Sequence, residues 1–366
     1  MTIENCHPTI LYRRKPFNLL WRAKLKATIK EVARLANVSV ATVSNVLNQT
    51  KRVSPETVKR VEDAVKKLNY QINPLARNFR KGESKLIGFV VCDLSNYFFQ
   101  DIALGLEKRL SRYGYRPILI DSKENKLTEI ENVRNLLAGS IDAFVIAPTT
   151  EDCSYLKLML EQNPVPVVFV DRKPVGYESD LVLSSNEQGG YDAVMHLISR
   201  GHKDIAFIGS RFDSTMVERA AGYKRALFES GIPVNANYIR YGEGLSLPHK
   251  ELRYGSIYQH TLDLVTNYPI TALFVGNNMA TIGAYSCLKE HKIRVPEDLA
   301  FITFDDSFWL TLTTPAISAI AQQPEKIGDL AGKMVYQRIC DVKNKVNREP
   351  QLVRVDTMLV ARTSSM

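Results

Sequence analysis

Residues 28–49 read TIKEVARLANVSVATVSNVLNQ, two short helical signatures separated by a break, and no other stretch constrains the chain as tightly. Thr28 followed three residues later by Glu31 is a capping box, which starts a helix. Ile29, Val32, Ala33 and Leu35 supply an apolar stripe at helical spacing. Ala36-Asn37-Val38 interrupts it, and Asn tolerates the left-handed backbone that a tight turn needs. Ser39 then caps a second helix carrying Thr42, Val43, Val46 and Leu47. Two helices joined by about three residues have the spacing of a helix-turn-helix, whose second helix fits a DNA major groove.

Charge points the same way. Residues 1–85 hold 18 Lys+Arg against 6 Asp+Glu, whereas the rest of the chain carries 30 against 33. The whole-chain net charge of +9 is therefore an N-terminal property. A basic head on a slightly acidic body is the footprint of phosphate-backbone binding. A merely solvated surface explains a mildly basic protein, but not this segregation.

Val53-Ser54-Pro55-Glu56-Thr57 opens a third helix, with Ser54 as N-cap and Pro55 at its first position. It runs through Val58, Val61, Ala64, Val65 and Leu68, and Asn73-Pro74-Leu75-Ala76-Arg77-Asn78-Phe79-Arg80 follows. From about residue 27 to its C-terminus the chain resembles the lactose-repressor/galactose-repressor family of bacterial transcription regulators. The resemblance implies that Val40, Ala41 and Asn45 read base edges. Two of them are small and apolar, suited to thymine methyls, and Asn pairs with adenine. Thr28, Ser39, Ser44, Asn48 and Thr57 are expected on phosphates, with helix capping as the alternative. Asn73, Ala76, Arg77 and Phe79 match the family's hinge helix in the minor groove. Phe79 replaces the usual Leu, and it too is an apolar wedge able to kink DNA. A flexible joint, Gly82-Glu83-Ser84, closes this part.

Beyond residue 85, strand-like apolar runs alternate with amphipathic stretches, the pattern of parallel α/β sheets. The runs are 86–92, 116–121, 143–147, 165–171, 181–184, 205–209, 239–242, 272–276, 299–304 and 317–321. Nearly 280 residues exceed one core and call for two lobes. The family resemblance implies the two-lobed periplasmic sugar-binding-protein fold behind an all-α helix-turn-helix headpiece. The division it implies is 27–72 for the headpiece, 73–85 for hinge and linker, 86–184 plus 323–349 for lobe one, and 185–322 plus 350–366 for lobe two.

Ligands in such folds sit at the carboxyl ends of the strands. Asp93, Ser95, Asn96, Phe98 and Phe99 follow the first run, Asp171 and Arg172 end the fourth, and Asn277, Asp305 and Gln322 end later ones. Arg219, in Glu-Arg-Ala-Ala-Gly-Tyr, matches the family's effector-contacting arginine. Asn278 stands where the family commonly has Asp. Carboxylates, amides and an arginine beside aromatic faces suit polyhydroxyl recognition, so a carbohydrate or an acidic sugar derivative is the expected effector.

Other features are mute. Asp305-Asp306 point to opposite faces of a strand and cannot easily share a proton. The six histidines lack metal-ligand spacing, and Cys6, Cys92, Cys153, Cys287 and Cys340 form a scattered odd set, read as reduced thiols of a cytoplasmic protein. There is no nucleotide-binding glycine loop, no nucleophile elbow and no apolar run long enough for a membrane span, so neither cofactor nor membrane is expected. Residues 1–26 fall outside the family pattern and read as a basic disordered arm or a start-site artefact. A transport binding protein would need a secretory signal and no headpiece, and an enzyme would need an acid–base or nucleophile set. The expectation is a homodimeric repressor on a near-palindromic double-stranded operator, since one helix-turn-helix reads only a half-site.

Overall fold

The computed structural model describes residues 27–48, 51–70, 83–139, 141–160, 164–210, 213–242 and 255–366. The expected hinge residues Asn73, Ala76, Arg77 and Phe79 lie outside them, as do residues 1–26. The chain divides into two units, Met1–Lys81 and Gly82–Met366.

In the first unit α1 spans Ile29–Ala36, α2 Val40–Asn48 and α3 Pro55–Lys67. The capping box forms as the sequence dictates: the Glu31 amide donates to Thr28 Oγ1 at 3.3 Å, and the Thr28 amide donates to the Glu31 carboxylate at 2.6 Å. Asn37 ends α1 at φ 51° and ψ 51°, the left-handed turn. Val32, Ala33, Ala36, Val43, Val61 and Ala64 are buried together where the three helices meet. Leu35, assigned above to the apolar stripe, is instead 44% exposed; Ala36 takes the inward position.

The second unit contains two six-stranded sheets. Strands β1 Leu86–Val91, β2 Arg116–Asp121, β3 Ala143–Ile146, β4 Val167–Val170 and β5 Asp180–Ser184 build the first. Strands β6 Ile205–Gly209, β7 Ile239–Tyr241, β8 Ala272–Val275, β9 Ala300–Phe304 and β10 Ser318–Ala321 build the second. Each takes the order 2-1-3-4-5 in its own numbering, parallel throughout, so each switches winding direction beside its first strand. Two C-terminal strands complete them. β11 Leu352–Val355 adds parallel to β5, and β12 Met358–Val360 adds antiparallel to β10.

The placement of β11 corrects the expected division: residues 350–366 do not all belong with the second lobe, because the chain crosses once more between Val355 and Met358. The expected flexible joint also ends earlier. Ser84 is buried and donates from its amide and its hydroxyl to Asp142, each at 2.7 Å.

Helices α4 Tyr97–Ser111 and α11 Pro324–Asn344 cover one face of the first sheet, and α5 Lys126–Ala138 and α6 Ser154–Leu160 the other. On the second sheet, α7 Asn186–Ser199 and α8 Ser214–Glu229 lie opposite α9 Ser256–Asn267 and α10 Asn278–Glu290. In each lobe one helix pair crosses at near backbone contact. A Cβ on Gly328 of α11 would collide with the Ile102 carbonyl of α4, and a Cβ on Gly222 of α8 with the Glu187 carbonyl of α7. Gly328→Ala must therefore push α4 and α11 apart. It should cost about 1–3 kcal/mol of unfolding free energy, checked by urea denaturation.

Candidate functional site

The carboxyl ends of both sheets face one cleft. From lobe one, the loop after β1 brings Asp93 and the N-cap Asn96, and the start of α4 brings Phe98 and Phe99. The end of β4 brings Asp171 and Arg172. From lobe two come Arg219 on α8, Asn277 as N-cap of α10, Asp305 after β9 and Gln322 after β10. Ser95 does not join them: its hydroxyl donates to Asp93 at 2.6 Å and it borders a neighbouring apolar hollow. The cleft also contains Glu124, Ser210, Asp213, Thr215, Met216 and Met279, which the sequence reading did not name. Glu124 follows β2, and Ser210 and Asp213 follow β6. Their strand-end positions are the signal in the sequence that marks them.

Two guanidiniums are buried in this cleft. Arg219 is 2% exposed; its Nε donates to Asn186 at 2.9 Å, its Nη1 to the Gly276 carbonyl at 2.6 Å, and it stacks 3.6 Å from the Phe304 ring centroid. Burial pulls its pKa below the usual arginine value. Arg172 grips Glu124 with both terminal nitrogens, at 3.0 and 2.8 Å, and reaches the carbonyls of Pro148 and Thr149. Its Nε is buried without a hydrogen-bond partner, 3.9 Å from Asp171 and 3.6 Å from Asp213.

The two strand-end aspartates take matching unusual conformations, Asp171 at φ 70° and Asp305 at φ 74°. Left-handed backbone at residues other than glycine costs energy and tends to survive where side-chain aim matters. Asp305 accepts the Asn278 amide at 3.1 Å and a bond from Gln322, while Asp306 turns away into a bidentate pair with Arg362 at 2.7 and 2.8 Å. The consecutive carboxylates thus take opposite sides, as strand geometry requires.

The lobes are tied directly across the cleft. Asn278 donates to Asn96 at 2.8 Å, and Tyr97 meets Phe308 edge-on at 5.4 Å. Outside the cleft, Arg354 of β11 grips Glu218 of α8 at 2.9 and 2.8 Å, with the Lys173 ammonium at 3.4 Å. Burial works to raise the Glu218 pKa, but these two cations hold it below the carboxylate norm. The space left inside is about 50 Å³. Small-molecule pockets usually offer at least about 300 Å³, so this is a closed cleft whose lobes or side chains must move to admit a ligand.

In the first unit, Val40 and Ala41 are exposed on the first turn of α2, and Asn45 lies one turn beyond Ala41 on the same face. The expected phosphate contacts all hold local bonds. Thr28 closes the capping box, Ser39 Oγ accepts the Thr42 amide at 3.1 Å, and Thr57 accepts the Ser54 hydroxyl at 2.9 Å. Asn48 donates to Ser44 through its carbonyl at 2.8 Å and its hydroxyl at 3.2 Å.

Comparison with known proteins follows the same division. Residues 28–73 match the family "bacterial regulatory proteins, lacI family", and residues 194–365 match a periplasmic binding protein-like domain. Catabolite control protein A of Priestia megaterium is 30% identical over 93% of this chain and 100% of its own length. The HTH-type transcriptional repressor PurR of Vibrio atlanticus is 32% identical over 91% of this chain and 98% of its own. Among solved structures, a LacI family transcriptional regulator from Enterococcus faecium with bound ribose is 27% identical, covering 76% of this chain and 98% of its own, with a TM-score of 0.64.

Burial, with Asp213 and Asp305 close by, raises the Asp171 pKa from 3.8 to about 6, against the pull of Arg172 and Arg219. A carboxyl raised in this way favours the folded state when protonated, so its contribution is fullest below pH 3.8 and is lost as pH rises through about 6. Asp171→Asn stays neutral throughout. Its stability relative to the parent should therefore improve by about 1–3 kcal/mol between pH 4 and pH 7, measured by denaturation at both.

Proposed function

This chain belongs to the lacI family of bacterial regulatory proteins, and we propose that it represses transcription from a near-palindromic operator, with an affinity that a small sugar or sugar derivative switches. It is a DNA-binding transcription regulator rather than an enzyme. One helix-turn-helix reads a half-site, so a homodimer is the working form. Such a regulator works in the bacterial cytoplasm, in association with the nucleoid.

The observation that carries the effector reading is the convergence of Asp171, Arg219, Asn277, Asp305 and Gln322, drawn from separate elements of two lobes, on one closed cleft. Carboxylates and amides flanking a guanidinium meet pairs of hydroxyls, while Phe98 and Phe99 offer apolar faces to a sugar ring. The ribose-bound Enterococcus faecium regulator lends this class further support. Within the headpiece, Val40, Ala41 and Asn45 are the proposed base readers; Thr28, Ser39, Ser44, Asn48 and Thr57 are proposed to add phosphate contacts through atoms left over from capping. A ligand that binds the closed and open lobes unequally must shift their equilibrium, and through it DNA affinity.

A thermal-shift screen of monosaccharides, sugar acids, sugar phosphates and purines tests the cleft. A sugar should raise the melting temperature, and Arg219→Ala should abolish that response. A purine as the sole hit, or an unchanged response in the variant, would overturn the assignment. For the headpiece, Asn45→Ala should relax sequence preference at one position per half-site at a cost of about 1–3 kcal/mol, read from binding to an operator library.

A further inference from the structure

Resting on the cleft reading above, we infer that the effector carries a protonated amine beside a hydroxyl, as a 2-amino monosaccharide does. The cleft is lined by five carboxylates, Asp93, Glu124, Asp171, Asp213 and Asp305, against the two guanidiniums of Arg172 and Arg219. That formal excess of negative charge sits where little water remains, so it is poorly screened.

Neither arginine presents an open fork to an anion. The terminal nitrogens of Arg172 are engaged by Glu124 and by the Pro148 and Thr149 carbonyls. Arg219 has its Nε on Asn186, its Nη1 on the Gly276 carbonyl and its face on Phe304, which leaves only Nη2 for a ligand. A sugar acid or sugar phosphate would add charge of the wrong sign, and a bidentate grip on either guanidinium would displace a protein partner already in place.

Two groups in the cleft lack what such a ligand supplies. The Asp171 carboxylate, with a side chain only 11% exposed, stands 3.9 Å from Arg172 Nε, beyond hydrogen-bond reach. Burial and the nearby Asp213 and Asp305 charges make its ionised form costly, and an ammonium would reverse that cost. Beside it, Arg172 Nε is a buried donor with no acceptor. An acceptor and a donor side by side match the ammonium and the neighbouring hydroxyl oxygen of a 1,2-amino alcohol. A neutral sugar satisfies the donor but brings no positive charge to offset the surplus of carboxylates.

The test is calorimetric titration of the full chain with glucosamine, galactosamine and mannosamine, each beside its neutral parent and its N-acetyl form. Gluconate and glucose 6-phosphate serve as anionic arms. At least one amine should bind about tenfold or more tighter than its neutral parent, and N-acetylation, which removes the charge, should erase the advantage. Asp171→Asn should bring amine and parent to similar affinity. The N-acetyl comparison needs no variant, so it decides the matter even if the substitution unfolds the protein. A neutral parent binding as tightly as its amine, or an anion binding best, overturns the inference and leaves the cleft a sugar site. If no sugar of any charge binds, the cleft reading itself falls, and this inference with it.

Discussion

A guanidinium cannot be taken out of water without company, and this cleft buries two. Arg172 draws Glu124 and two carbonyls from lobe one, and its Nε lies 3.6 Å from Asp213 of lobe two. Arg219 takes its partners from lobe two alone, but the Asp171 charge of lobe one also acts on it. Closure of the lobes therefore serves electrostatics before any ligand enters. The left-handed backbone at Asp171 and Asp305 fits that demand, since it aims both carboxylates inward at a local conformational cost.

Because the charges are shared between lobes, whatever binds among them is mechanically coupled to the rest of the unit. The chain crosses between lobes after β5, after β10 and after β11. Gln322 stands at one crossing, accepting from Ser184 at another and donating to Asp305 in the cleft. A ligand that displaces Asp305 must therefore disturb the crossings. The Arg354–Glu218 pair holds the lobes together from outside the cleft, and Glu218 directly precedes Arg219 on α8. The outer tie and the buried Arg219 of the cleft thus share one helix, and a ligand can shift the open–closed balance only as far as it binds the two states differently.

The headpiece was legible in the sequence because its determinants are local: caps three residues apart, a turn Asn and apolar residues at helical spacing. Most strands were legible because buried parallel strands are continuous apolar runs. β11 and β12 were not. They are short edge strands whose Leu352, Met358 and Leu359 are exposed, so no burial pattern announces them. Missing β11 is what put residues 350–355 with the wrong lobe. In the cleft, residue types at strand ends led to many of the groups that line it, but not to their partners. Nothing in the sequence says that Glu124, distant along the chain, would occupy both terminal nitrogens of Arg172. Nor does it say that Ser95 would spend its hydroxyl on Asp93.

The two lobes repeat one design: the same strand order, a glycine crossing in the helix pair, and a left-handed aspartate at a strand end. What differs is the chemistry laid over it. Lobe one contributes Asp93, Glu124, Asp171 and Arg172 to the cleft, and lobe two contributes Asp213, Arg219 and Asp305. The surplus of negative charge is thus largest on the lobe-one side, where Asp171 and the unpartnered Arg172 Nε stand together. A repeated scaffold makes a cleft with two similar walls, and asymmetric charge on those walls gives a ligand one orientation. In the proposed reading the fold sets where an effector binds, and the charge on the two walls selects the effector and its orientation.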